Sequence, residues 1–149
     1  MEVCKMTGFF IALISGALMS IQGVFNTQVT KTAGVWVSNG WVQITAFAVC
    51  AAAWFLTGRD SIAAIGQVDP KYMLLGGVFG AAITWTVIQS VSSLGPARST
   101  LLIVIAQISV SYLIQLFGLF GMDKVPFDWR RFAGLLLAAA GIAIFQWDR

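Results

Sequence analysis

Polar and apolar positions alternate along this chain over tens of residues rather than over single helical turns. Charged residues cut it into long uncharged runs: 25 residues between Lys5 and Lys31, 27 between Lys31 and Arg59, 26 between Lys71 and Arg98, and 24 between Arg98 and Asp123. A fifth run, Phe132 to Trp147, is 16 residues long. A helix rises about 1.5 Å per residue, so about 20 residues cross a hydrocarbon core of roughly 30 Å. Four runs are ample and the fifth is short. The pattern predicts five helices, near Thr7 to Phe25, Val35 to Leu56, Tyr72 to Ser92, Ser99 to Leu119 and Trp129 to Trp147. Polar connections are expected at Asn26 to Gly34, Thr57 to Lys71, Ser93 to Arg98 and Gly121 to Asp128. Pro70, Pro96 and Pro126 fall in connections or near helix starts, where a missing N–H costs little. The fifth helix reaches spanning length only with little tilt and with Arg130 and Arg131 snorkelling to the interface. The expected fold class is all-α, a polytopic membrane bundle of five transmembrane helices forming one transmembrane domain over residues 1–149.

Composition narrows the class further. The chain is 58% hydrophobic and 10% charged, with a mean hydropathy of +0.85. A soluble domain carries roughly 25% charged residues to cover its core. The net charge of +3 does not point to nucleic acid, because the basic residues are scattered through the connections. They set orientation instead. Lys5, Arg59, Lys71, Lys124, Arg130 and Arg131 gather on the N-terminal side, against Lys31, Arg98 and Arg149 on the other. That bias favours a cytoplasmic N-terminus and an external C-terminus, and it is weak enough to admit dual topology. The opening MEVCK and its apolar run are read as a retained first helix, since no convincing cleavage signal follows. Trp36, Trp54, Trp129 and Trp147 fall near helix ends as interfacial anchors, whereas Trp85 sits mid-span and calls for a polar partner.

Membrane helices associate through small residues and polar contacts. Candidate packing stripes are Gly16 with Ser20, Gly76 with Gly80, and Gly134 with Ala138 and Gly141. Side-chain amides pointed at lipid would lose their hydrogen bonds, so their faces should look inward or into a water-filled cavity. Gln22 and Asn26 lie one turn apart, as do Asn39 and Gln43, and Gln89 lies one turn beyond Trp85. Thr100, Gln107, Ser111 and Gln115 share a face of the fourth helix, with Tyr112 alongside. The substrate-pathway candidates are therefore Gln22, Asn26, Asn39, Trp85, Gln89, Gln107, Ser111 and Gln115, with Gln107 the most central.

The missing chemistry is equally informative. Apart from Arg130 and Arg131 at the start of the fifth, no Asp, Glu, Lys, Arg or His falls inside a predicted span, so a pathway there is expected to carry no fixed charge. Cys4 and Cys50 are the only cysteines, and the chain has no His, so neither a disulfide nor a metal site is expected. No nucleophile–base pair or phosphate-binding loop occurs. The reading is of a protein that is not an enzyme and needs no cofactor.

Three segments carry a resemblance: LGPARSTLLIVIAQISVSYLIQLFG, the linker GMDKVPFDWRR, and FAGLLLAAAGIAIFQW. They are similar to the closing helices of the drug/metabolite transporter superfamily, in which a penultimate helix opens after Gly-Pro and leads through an acidic turn into a glycine-containing last helix. Here Asp123 stands about where a Glu is common, and Gln107 takes roughly the place of a frequent helix proline. With the first-helix stretch ISGALMSIQGVFNTQVTK, nearly the whole chain resembles the YdcZ-type family, a five-span branch of bacterial inner-membrane transporters. By that resemblance, Gln22 and Asn26 are its characteristic first-helix polar pair. The small multidrug exporters of the same superfamily carry a first-helix carboxylate, which this chain lacks, so the resemblance does not extend to proton/multidrug-cation exchange.

The resemblance implies a multi-pass protein of the bacterial inner membrane, in contact with lipid, that moves a small-molecule substrate. Five spans make a thin bundle, and ten-span relatives resemble two five-span halves of opposite orientation. The expected assembly is an antiparallel homodimer or a pair with an inverted paralogue. The expected cargo is a small neutral, zwitterionic or amphipathic metabolite, exported by alternating access. The competing expectation is a non-transporting accessory subunit of a larger complex, whose polar faces would be consumed entirely by protein contacts.

Overall fold

A computed structural model describes residues 2–58 and 60–147, with side chains from residue 6 onward. Cys4, Lys5, Arg59 and Arg149, which enter the cysteine and charge arguments above, lie outside the described side chains. Regular structure among the described residues is entirely helical. The α-helices are α1 (Glu2–Ala33), α2 (Val35–Thr57), α3 (Gly76–Leu94), α4 (Pro96–Phe117) and α5 (Trp129–Gln146), with 3-10 segments at Ile62–Gln67, Lys71–Leu75 and Leu119–Gly121.

Four stretches are long and apolar enough to cross a membrane: Met6–Ala33, Val35–Thr57, Lys71–Leu94 and Pro96–Phe117. The fifth helix is not among them. Its 18 residues include Trp129, Arg130, Arg131 and Gln146. The apolar stretch Phe132–Phe145 covers only about 21 Å at the helical rise.

Helix boundaries depart from the expected ones where polar residues had suggested connections. The first helix continues through Asn26 to Ala33. Polar side chains there fold back on their own helix: Thr27 Oγ1 donates to the Gly23 carbonyl at 2.8 Å, and Thr30 Oγ1 to that of Asn26 at 2.8 Å. No Gly or Pro interrupts Val24–Ala33, and Lys31 in the last turn complements the helix dipole. The break comes at Gly34, whose φ of +83° and ψ of 159° suit a residue without Cβ, and α2 starts at once. Likewise the expected connection Ser93–Arg98 contracts, because Gly95 (φ +79°) turns the chain and Pro96 takes the first position of α4.

The chain forms two compact units, Met1–Ser93 and Leu94–Arg149. The first has an inverted interior. Its buried apolar residues are Ile88 and Val91, and beside them lie buried Asn26, Thr27, Ser38 and Asn39. Ser38 Oγ donates to the Asn26 carbonyl at 3.0 Å, joining α2 to α1. Asn39 Nδ2 donates to the Ala81 carbonyl at 2.8 Å, joining α2 to α3. Phe9, Phe47, Leu56 and Phe79 point outward, as side chains solvated by lipid should.

The close approach of α1 to α3 depends on Gly23. A Cβ there would meet Val87 Cγ1 at 3.4 Å and Val91 Cγ2 at 3.9 Å, which is ordinary contact for one methyl and no more. Gly23→Ala is therefore expected to be neutral or slightly stabilising, whereas Gly23→Leu should cost about 1–3 kcal/mol through overpacking. Unfolding of both variants in a detergent–SDS titration checks this; equal stability of the two would remove Gly23 from the helix contact.

The second unit pairs α4 with α5. Gly118, in the left-handed region (φ +65°, ψ 38°), ends α4, and its N–H returns to the Ile114 carbonyl. Val125 N–H then donates to the Gln115 carbonyl at 3.0 Å, which folds the connection back along the end of α4. Asp128 begins α5 as its N-cap, Oδ1 accepting from the Arg130 N–H at 2.9 Å.

Candidate functional site

A cavity of about 540 Å³ lies between α4 and α5 within the second unit. Gln107, Ser111 and Gln115 recur every fourth residue, so they share one face of α4, and all three line it with Ile108 and Tyr112. Arg131, Gly134, Leu135 and Ala138 line it from α5, again at helical spacing. The volume falls in the range of small-molecule pockets, roughly 300–1,000 Å³. The amides of Gln107 and Gln115 can each donate and accept, so the α4 wall offers hydrogen bonds of both senses.

One end of the cavity is held by a polar clasp. The Tyr112 hydroxyl accepts from the Asp128 N–H at 3.2 Å and lies 3.4 Å from the Asp128 carbonyl, to which it donates. This ties the start of α5 to the body of α4. Asp128 Oδ2 stands 3.7 Å from Arg131 Nε, and both side chains are about half exposed. Such a pair adds little stability. Its effect here is positional, since it steadies the guanidinium beside the cavity. Phe127 packs against Tyr112, Trp129 and Phe132 with ring centroids 5.8–6.4 Å apart, which fixes the connection next to the clasp.

Arg131 brings a guanidinium, paired with Asp128, to a lining otherwise free of charged side chains. Arg131, expected as an interfacial residue at the start of the fifth helix, also lines the cavity. Its spacing of four and seven residues from Leu135 and Ala138 puts it on their face, and that signal was present in the sequence. Thr100 does not join the lining.

The remaining candidates separate into three groups. Asn26 and Asn39 belong to the interior of the first unit, where the Asn26 carbonyl receives two hydroxyls and the Asn39 amide spans to α3. Gln43 Nε2 lies 3.4 Å from Asn39 Oδ1 and extends that network. Trp85 stacks on Trp36, with centroids 6.2 Å apart and planes at 13°, so its contact is aromatic rather than the expected polar one. Gln22 and Gln89 are exposed and are not drawn into either interior.

The small-residue stripes are open. A Cβ at Gly16, Gly76, Gly80, Gly134 or Gly141 would meet nothing within 4 Å. At Gly134 and Ala138 the open space is the cavity itself. Ser20 Oγ turns back to the Gly16 carbonyl at 3.2 Å. Among the described residues no group of three His, Cys, Asp or Glu side chains could hold a metal ion, and Cys50 is a free, exposed thiol.

A family model described as "Putative inner membrane exporter, YdcZ" matches residues 7–144, nearly the full length of the chain. No curated protein and no solved structure matches it.

Proposed function

This chain belongs to the YdcZ family of the drug/metabolite transporter group, and so to multi-pass inner-membrane proteins with a role in transport; from that premise we propose that it is a secondary transporter exporting a small neutral, zwitterionic or amphipathic metabolite by alternating access. The observation that carries this reading is the α4–α5 cavity, where three regularly spaced polar side chains of α4 face a wall of small residues on α5. A polar face spent wholly on helix contacts would leave no such space. Gln107, Ser111 and Gln115 contact the cargo in this reading, while Asn26 and Asn39 stiffen the first unit.

The same reading takes α5 as a fifth span, with Arg130 and Arg131 at the membrane interface. An odd span number and a six-to-three charge bias then favour two copies of opposite orientation, or one copy with an inverted paralogue. Labelling single cysteines at each terminus, in a background lacking Cys4 and Cys50, tests this. Each terminus is expected to be labelled from both membrane faces. Labelling from one face only would exclude the antiparallel homodimer and leave the inverted paralogue.

Transport itself is tested with proteoliposomes loaded with a defined mixture of small metabolites, following protein-dependent efflux by mass spectrometry. Selective loss of one or a few solutes is expected. No protein-dependent efflux of any solute would favour the accessory-subunit reading, which the hydrogen bonds of the first unit at the Asn26 carbonyl, the Ser38 hydroxyl and the Asn39 amide support.

A further inference from the structure

We propose that the α4–α5 cavity selects solutes with a carboxylate head and an apolar body, and that Arg131 holds the carboxylate. As a statement about cargo this rests on the transport reading above; as a statement about binding it stands on the cavity alone.

The argument starts from the distribution of chemistry along the groove. Arg131 lies in the first turn of α5, at the clasp end of the cavity. The opposing carboxylate, Asp128 Oδ2, reaches only Nε, at 3.7 Å. Charge-assisted hydrogen bonds run at about 2.7–2.9 Å, so this partner neutralises the guanidinium incompletely. A guanidinium presents paired N–H groups that match the two oxygens of a carboxylate. The first turn of α5 adds its partial positive charge to the same end. From there the groove runs past Ile108, Leu135 and Ala138 toward Gln107. Gln115 and Gln107 are eight residues apart, or about 12 Å along α4. A charged head and a mainly apolar groove, with Ser111 and Gln107 as its polar points, describe an amphipathic anion. A cationic head would meet Arg131 unfavourably, and a neutral head would forgo the charge-assisted bonds.

The test uses the full chain in nanodiscs of a zwitterionic lipid, titrated by calorimetry with octanoate, octanol and octylammonium against empty discs. The three probes share a tail and differ in head charge. Octanoate is expected to bind about tenfold tighter than either of the others, the scale of one charged hydrogen-bonding contact. Arg131→Gln should bring octanoate to the octanol level, and Arg131→Lys should keep part of the preference. Gly134→Leu, which projects a side chain into open space within the cavity, should weaken octanoate and octanol alike. Equal binding of the three probes to the native protein would overturn the proposal. So would an undiminished octanoate preference in Arg131→Gln or, if that variant does not fold, an undiminished preference in Arg131→Lys together with native binding of both octanoate and octanol to Gly134→Leu.

An anionic lipid headgroup shares this chemistry. Adding phosphatidylglycerol to the discs separates the sources: octanoate binding that persists supports a solute site, and its displacement in an Arg131-dependent manner would assign the site to lipid and overturn the solute. Octanoate preference without protein-dependent flux would support the site and remove the transport reading. Flux of neutral solutes without octanoate preference would do the reverse.

Discussion

Asn39→Asp is expected to be the most destabilising single-atom-scale change in the first unit. The Asn39 side chain is 4% exposed and its amide donates to the Ala81 carbonyl at 2.8 Å. A carboxylate of the same size has no proton to donate and sets a charge against a carbonyl oxygen. At the centre of a membrane helix such a charge costs about 2.5–3.5 kcal/mol, which is the upper bound for Asn39, five residues into α2. Asn39→Leu removes the bond without adding charge and should cost about 1 kcal/mol. Both are read as the SDS fraction at half-unfolding in mixed micelles, with helicity as the signal. If the aspartate variant unfolds at the same SDS fraction as the leucine variant, the site is wetter than its burial implies, and the Asn39–Ala81 bond is not a structural tie between α2 and α3.

Gln107→Ala carries the largest functional effect. The Gln107 side chain is exposed and faces the α4–α5 cavity, so truncating it should leave stability nearly unchanged. A site built to hydrogen-bond its cargo loses about tenfold or more when one such contact is removed. Efflux of whichever solute the native protein moves from proteoliposomes is therefore expected to fall by at least that factor, with the SDS unfolding midpoint unmoved. Native efflux in a stably folded Gln107→Ala variant would place the cargo route elsewhere. The two variants thus separate the molecule's two uses of amides: Asn39 ties helices together, and Gln107 faces open space.

The long uncharged runs made four helices long and apolar enough to cross a membrane readable from the sequence, because the charge-free length needed to span a bilayer is set by simple geometry. Helix ends were less legible. The segment Asn26–Ala33 looked like a connection because its residues are polar, yet hydroxyls bonded to carbonyls four residues back are compatible with a helix, and only Gly34 stops it. Spacing alone put Gln107, Ser111 and Gln115 on one face, but it could not say what that face would meet. Arg131 was hidden by its position at a helix start, where a basic residue has a sufficient explanation in the membrane interface. Gly23 was hidden by the other glycine pairs. Gly76 and Gly80 advertise a contact more strongly, yet close approach depends on what stands opposite, and only Gly23 faces Val87 and Val91.

The inverted interior of the first unit has a thermodynamic consequence. Its buried residues include two apolar side chains, Ile88 and Val91, alongside Asn26, Thr27, Ser38 and Asn39, while its phenylalanines face outward. When helices already in lipid come together, little apolar surface leaves water. The heat-capacity increment of unfolding arises from hydrating such surface. For this packing step it is small, so the enthalpy and entropy of holding α1, α2 and α3 together change little with temperature, and cooling does not erode the association as it erodes a water-solvated hydrophobic core.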